Sequence, residues 1–276
     1  MEFLYHRSYR GPLKLVILDW AGTTMDYGCY APAVVFIEVY RRRGVKITME
    51  QARRPMGLHK RDHIRAISRM EEVAETWEKV HGRSVGDADV EEMFSEFQPL
   101  QLNCLADYAD LIPGTVETVA ALRARGMLIG STTGYFTEAM ELLKAEAAKR
   151  GYVPDSSVCA TQVPAGRPFP WMVMQNMIHT GVYPPEAVVK VGDTKPDIGE
   201  GLNAGVWTIG VAKTGNEMGL NLEEIRALDD ATLARKLTSA REALAMSGAH
   251  YVVDSIADIL PVVDDINVRL ARGERP

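Results

Sequence analysis

The chain has 276 residues, 46% of them hydrophobic and 25% charged, with a formal net charge of −6. That length buries a sizeable core, as one large domain or as a core with a smaller insert, and that composition excludes disordered and fibrous classes. The acidic balance gives no general footprint for nucleic acid and leaves only a local cradle as a way to hold an anion.

Residues 1–12 contain Arg, His and Glu but no apolar run of the secretory kind, so they read as a short mobile extension, and no later stretch is apolar for long enough to span a membrane. Residues 14–18 form an apolar, β-branched run that ends at Asp19 and is followed by Gly22, Thr23 and Thr24. This predicts a buried strand opening into a tight loop, with chemistry at the strand's end. From about residue 31 to 105 helical spacing recurs without a convincing strand, notably over 33–43, 58–69 and 90–104, which predicts an all-helical insert.

Ile112-Pro113-Gly114 then marks a turn. Beyond it, helices over 115–125, 137–149 and after Pro168 alternate with short apolar runs over 127–130, 157–160, 187–191, 204–211 and 251–253. That alternation implies an α/β fold with a parallel sheet covered on both faces, whose ligands bind beyond the carboxyl ends of the strands. Asp19, Ser131 to Gly134 and Gly192-Asp193 all fall there. Cys29, Cys104 and Cys159 are odd in number, far apart and without a CxxC pair, which argues against a disulfide framework or zinc site and makes a cytoplasmic setting the expectation.

Four segments carry chemistry. In Asp19-Trp20-Ala21-Gly22-Thr23-Thr24 a strand presents a carboxylate while Gly22 lets the backbone bend close to an anion, although an isolated acid there also reads as a turn residue. Val191-Gly192-Asp193-Thr194-Lys195-Pro196-Asp197 repeats the arrangement with two acids four apart; such acids can hold a hard cation or cap a helix. Ile129-Gly130-Ser131-Thr132-Thr133-Gly134 offers hydroxyls and amides to phosphate oxygens. Pro164-Ala165-Gly166-Arg167-Pro168 sets a cation in a stiff loop, where it faces either phosphate or solvent.

In this order on this βα pattern, the four segments resemble the haloacid dehalogenase superfamily of aspartyl phosphotransferases. The resemblance implies a Rossmann-like core (13–28 and 106–276) with an all-helical cap (29–105) inserted after the first strand. It also implies that Asp19 attacks phosphorus and that Mg²⁺ is held by Asp19, the carbonyl of Ala21 and Asp193, with Asp197 in support.

Phosphatases of that superfamily carry a second Asp two residues after the nucleophile as the acid for an alkoxide leaving group, but this chain has Ala21, which cannot transfer a proton. In the insert, Lys60 and His63 are three apart and share a helix face. A neutral lysine there can make an imine that accepts the electrons of an adjacent carbon–phosphorus bond. Alternatively Lys60 belongs to a solvated basic cluster with Arg61, and His63 is structural.

Together with Arg54-Pro55-Met56-Gly57-Leu58, Gly130 to Tyr135, Val163 to Trp171 and Lys190 to Thr194, these residues make the chain similar to the phosphonatases, a family within that superfamily. The family's activity is hydrolysis of phosphonoacetaldehyde to acetaldehyde and phosphate during 2-aminoethylphosphonate degradation. The likeness assigns imine formation to Lys60, attack to Asp19 and phosphoryl binding to Thr133 and Arg167 in a loop shared with Ser131 and Thr132. Cys29, Met56, Gly57 and His63 fall around the aldehyde, His63 as a proton shuttle. A homodimer through the cap helices is also implied, and Val34, Val35 and Val39 suit such a surface or the cap's own interior. The alternative is a phosphate-ester hydrolase or phosphomutase of the same superfamily.

Overall fold

The computed structural model describes residues 8–276. Six strands, β1 (Leu15–Asp19), β2 (Leu128–Thr133), β3 (Ser156–Cys159), β4 (Val188–Gly192), β5 (Trp207–Val211) and β6 (Tyr251–Val253), form one sheet. The order is β3-β2-β1-β4-β5-β6, and every neighbouring pair is parallel. β1 is buried along its whole length and alternates sides. Val16 and Leu18 enter one apolar cluster while Leu15 and Ile17 enter another with Val173 and Val188, as the two-residue period of a strand covered on both faces requires.

Five of the six α-helices between β1 and β2 run in succession after β1: α1 (Tyr30–Arg41), α2 (Met49–Arg53), α3 (Lys60–Ser68), α4 (Glu71–His81) and α5 (Asp87–Leu105). They fall where the sequence predicts an all-helical insert, and their Phe36, Tyr40, Ile64, Trp77 and Phe97 share the larger cluster with Leu18 and Ile129 of the sheet. Asp26, which has φ 54°, starts α1: its two carboxylate oxygens accept the N–H groups of Tyr30 and Ala31, each at 2.9 Å. Val35 and Val39 are buried within this cluster, so neither is available as a dimer surface; Val34 is partly buried.

The remaining helices are α6 (Thr115–Ala124), α7 (Thr137–Lys149), α8 (Trp171–Thr180), α9 (Lys195–Ala204), α10 (Leu222–Ala227), α11 (Asp230–Met246) and α12 (Ile259–Ala271). The run expected as a strand over 204–211 divides here. Ala204 ends α9, Gly205 turns the chain in the left-handed conformation open to glycine, and the strand starts only at Trp207. Of the extension expected over 1–12, residues 1–7 lie outside the described residues. Residues 8–12 are anchored: Tyr9 packs against both clusters and its hydroxyl donates to the Pro12 carbonyl at 2.7 Å. Among the described residues, no helix is long and apolar enough to cross a membrane.

Candidate active site

Parallel pairing brings the carboxyl ends of β1, β2 and β4 side by side, and the residue types at those ends determine what collects there. Asp19 closes β1 and is 5% exposed; the Thr24 hydroxyl donates to its carbonyl at 2.9 Å and pins the turn that follows. Gly22 has φ +86°, and a Cβ on it would lie 2.3 Å from Asp193 Oδ2, so glycine is required where the two acidic loops meet. Asp193 follows β4 and accepts the Asn216 N–H at 2.7 Å.

Asp19, Asp193 and Asp197 each present a carboxylate oxygen within 4.8 Å of the others, a group that could hold a metal ion. An all-oxygen set of this kind suits a hard divalent cation. The three acids are not equivalent. Asp197 accepts from Lys190 Nζ at 2.6 Å and Thr194 Oγ1 at 2.5 Å and pairs with Arg167 Nη2 at 3.0 Å. Burial pushes its carboxyl up, but Arg167 and Lys190 together outweigh this and hold it below the ordinary value. Burial raises Asp19 and Asp193, each reinforced by the neighbouring acids, although Arg167 partly offsets the effect at Asp19. A cation between Asp19 and Asp193 would relieve that repulsion.

Arg167 reaches this cluster from the loop after β3, with Nη2 2.5 Å from Asp19 Oδ1. A small cavity opens beside the pair, lined among others by Lys60, Cys29, Met56, Thr133 and Tyr135. Lys60 is the first residue of α3 and is 4% exposed; Nζ stands 4.6 Å from the Tyr135 ring centre. Burial lowers its amine to about 8, against the opposing pull of Cys29 and Asp19. The loop before it fits closely on the core: Gly57 has φ +93°, and a Cβ there would lie 2.3 Å from Thr194 Oγ1.

Of the residues singled out in the sequence, Asp19, Ala21, Cys29, Met56, Gly57, Lys60, Thr133 and Arg167 line this one cavity, with Asp193 and Asp197 behind it. Three others face elsewhere. The Ser131 hydroxyl crosses to β3 and donates to Ser157 Oγ at 2.8 Å. Thr132 Oγ1 donates to Glu200 Oε2 at 3.1 Å and accepts from Arg167 Nη2 at 2.8 Å. His63 is fully buried, stacked on Phe36 with ring centres 3.8 Å apart, and its Nε2 bonds the Ala52 carbonyl at 2.8 Å. Burial and nearby Lys60 hold it well below the ordinary histidine value, so it is a neutral ring tied to the insert's own backbone, outside the cavity lining.

Sequence reasoning gave no role to Tyr135, Lys190, Asn216 or Glu200, all of which touch this region. A lysine inside the apolar strand VVKVG was a usable signal, since a buried lysine needs an acid partner. Glu200 stands three residues after Asp197 on the same face of α9, a weaker signal because most helical glutamates face solvent.

Comparison with known proteins places this site in context. Residues 13–205 match the haloacid dehalogenase-like hydrolase family. A phosphonoacetaldehyde hydrolase-like protein of Syntrophobacter fumaroxidans is 52% identical over 274 residues, covering 99% of each chain. A phosphonoacetaldehyde hydrolase of Nitratidesulfovibrio vulgaris is 47% identical over 99% of this chain and 98% of its own. The crystal structure of a phosphonoacetaldehyde hydrolase-like protein from Oleispira antarctica superposes with a TM-score of 0.98 at 39% identity, covering 100% of both chains.

Proposed function

The chain belongs to the haloacid dehalogenase-like hydrolases and, within them, to the phosphonoacetaldehyde hydrolase family, and on that premise we propose that it cleaves the carbon–phosphorus bond of phosphonoacetaldehyde through a Lys60 imine and an Asp19 aspartyl-phosphate. The observation that carries this reading is the buried Lys60 amine in the same cavity as Asp19, with Ala21 where an ester hydrolase needs its acid.

Lys60 condenses with the aldehyde, releasing water. Asp19 then attacks phosphorus, and the bonding pair of the breaking carbon–phosphorus bond moves into the imine to give an enamine in place of a free carbanion. Protonation at carbon and hydrolysis return acetaldehyde and the Lys60 amine, and water cleaves the aspartyl-phosphate to phosphate. No alkoxide leaves, so no acid is needed at position 21. Arg167 and Thr133 bind the phosphoryl oxygens, while Cys29, Met56 and Gly57 enclose the aldehyde end. Asp19, the Ala21 carbonyl and Asp193 would hold Mg²⁺, which offsets phosphoryl charge when bound. His63 supports the packing under Lys60 from outside the cavity lining. We assign the protein to the cytoplasm and to 2-aminoethylphosphonate degradation, and expect a homodimer through helices α1–α5.

Borohydride trapping tests the reading directly. After incubation with phosphonoacetaldehyde and Mg²⁺, reduction should leave a two-carbon adduct on Lys60 that is absent without substrate. Lys60→Arg keeps a charge but forms no imine, and turnover should fall by at least about 100-fold. Substantial activity in that variant would overturn the imine route.

A further inference from the structure

Arg167 reaches Asp19 only because something behind it fixes the guanidinium, and the groups that do so are buried. Nε donates to Glu200 Oε2 at 3.1 Å, while Nη2 donates to the Thr132 carbonyl at 2.9 Å and to its hydroxyl at 2.8 Å. The Thr132 hydroxyl must then spend its own proton elsewhere, and it donates to the same Glu200 oxygen at 3.1 Å. Guanidinium, hydroxyl and carboxylate thus close a ring of hydrogen bonds that permits one orientation of the arginine. Lys190 Nζ stands 3.7 Å from the same Glu200 oxygen, and Glu200 is fully buried. It does not line the cavity.

A buried carboxylate that contacts no reactant needs a reason to be there, since removing it from water is costly. We propose that Glu200 is a positioning residue, which with Thr132 locks the Arg167 guanidinium so that Nη2 stays at the phosphoryl site. The inference rests on Arg167 being the phosphoryl ligand. Without Glu200, the Thr132 hydroxyl is free to turn, the guanidinium can swing along Asp19, and phosphoryl binding loosens while the Lys60 amine is untouched.

The test uses Glu200→Met, which keeps the side chain's length but accepts neither hydrogen bond, together with Thr132→Val and the double variant. Two quantities are measured on the Mg²⁺-loaded protein: affinity for inorganic phosphate and the rate of borohydride-trapped adduct formation at Lys60. Each single variant should weaken phosphate binding by about 10-fold, in the range found for groups that orient ligand-binding side chains, with adduct formation within about twofold of wild type. The double variant should lose little more than either single, because both break one ring. Unchanged phosphate affinity in Glu200→Met would overturn the proposal, as would additive losses or a parallel fall in adduct formation, which marks general damage. If the wild-type protein forms no Lys60 adduct, the imine reading fails, yet phosphate affinity across the cycle still decides the role of Glu200.

Discussion

Lys60 shows how one residue's environment sets both its chemistry and its cost. Burial lowers its amine from 10.5 to about 8, so the neutral nucleophile is roughly a tenth of the population at pH 7. Adduct formation should therefore rise about tenfold per pH unit below 8 and level off above it; a flat profile from pH 6 to 9 would contradict this. The same shift affects stability. The folded value lies below the unfolded one, so between about 8 and 10.5 the unfolded chain binds more protons and stability rises with pH. Below about 8 the native state carries the full penalty, on the order of 3 kcal/mol. Lys60→Met, which fills similar space without charge, should stabilise the protein by about 1–3 kcal/mol at pH 7 while abolishing turnover. Urea midpoints check this, and a destabilised variant would show that Lys60's contact with the Tyr135 ring outweighs its burial.

At the scale of elements, the question is how the insert meets the sheet. Gly134, just after β2, would place a Cβ 2.8 Å from the Leu58 carbonyl oxygen and 3.1 Å from that of Gly57, and backbone cannot give way as a flexible side chain can. Because Lys60 follows two residues after Leu58, Gly134→Ala should push the amine away from Asp19. A displacement near 1 Å can cost about 100-fold, so trapping at Lys60 should slow by at least about 10-fold with the fold retained. An unchanged rate would mean that the loop does not rest on β2 in solution. How much of this was legible varies with burial pattern. β1 and β4 announce themselves because fully buried parallel strands are mostly apolar runs, broken in β4 by Lys190 alone, and each leads straight to an acid, Asp19 or Asp193. α4 and α11 were not picked out because their stripes are thin: Val73 and Trp77 alone are fully buried on α4, and Ala240 and Leu244 on α11. The cavity residues carried by motifs were legible. The turning of Ser131 and Thr132 away from it was not, because hydroxyls in one short strand look alike until their partners are known.

Across the whole molecule, the sheet collects more negative than positive charge in one buried place. Asp19, Asp193, Asp197 and Glu200 face Arg167 and Lys190, four carboxylates against two basic side chains, with Lys60 poised between charged and neutral. If every acid is ionised, the excess is two negative charges once Lys60 is neutral, as it must be to attack an aldehyde, and a single divalent cation would balance them. The metal-free protein must tolerate that repulsion or take up protons, consistent with the raised Asp19 and Asp193 carboxyls. Mg²⁺ should therefore raise the melting temperature; at 100 times its dissociation constant the gain is about 2.7 kcal/mol, or roughly 5–10 °C for a chain of this size. Asp193→Asn removes one of the repelling charges while keeping an oxygen for the Asn216 N–H. It should melt higher than wild type without metal and respond weakly to added Mg²⁺. If that variant instead melts lower in chelator and still gains the full metal shift, the excess charge is not what the cation neutralises, and the ion binds away from Asp193.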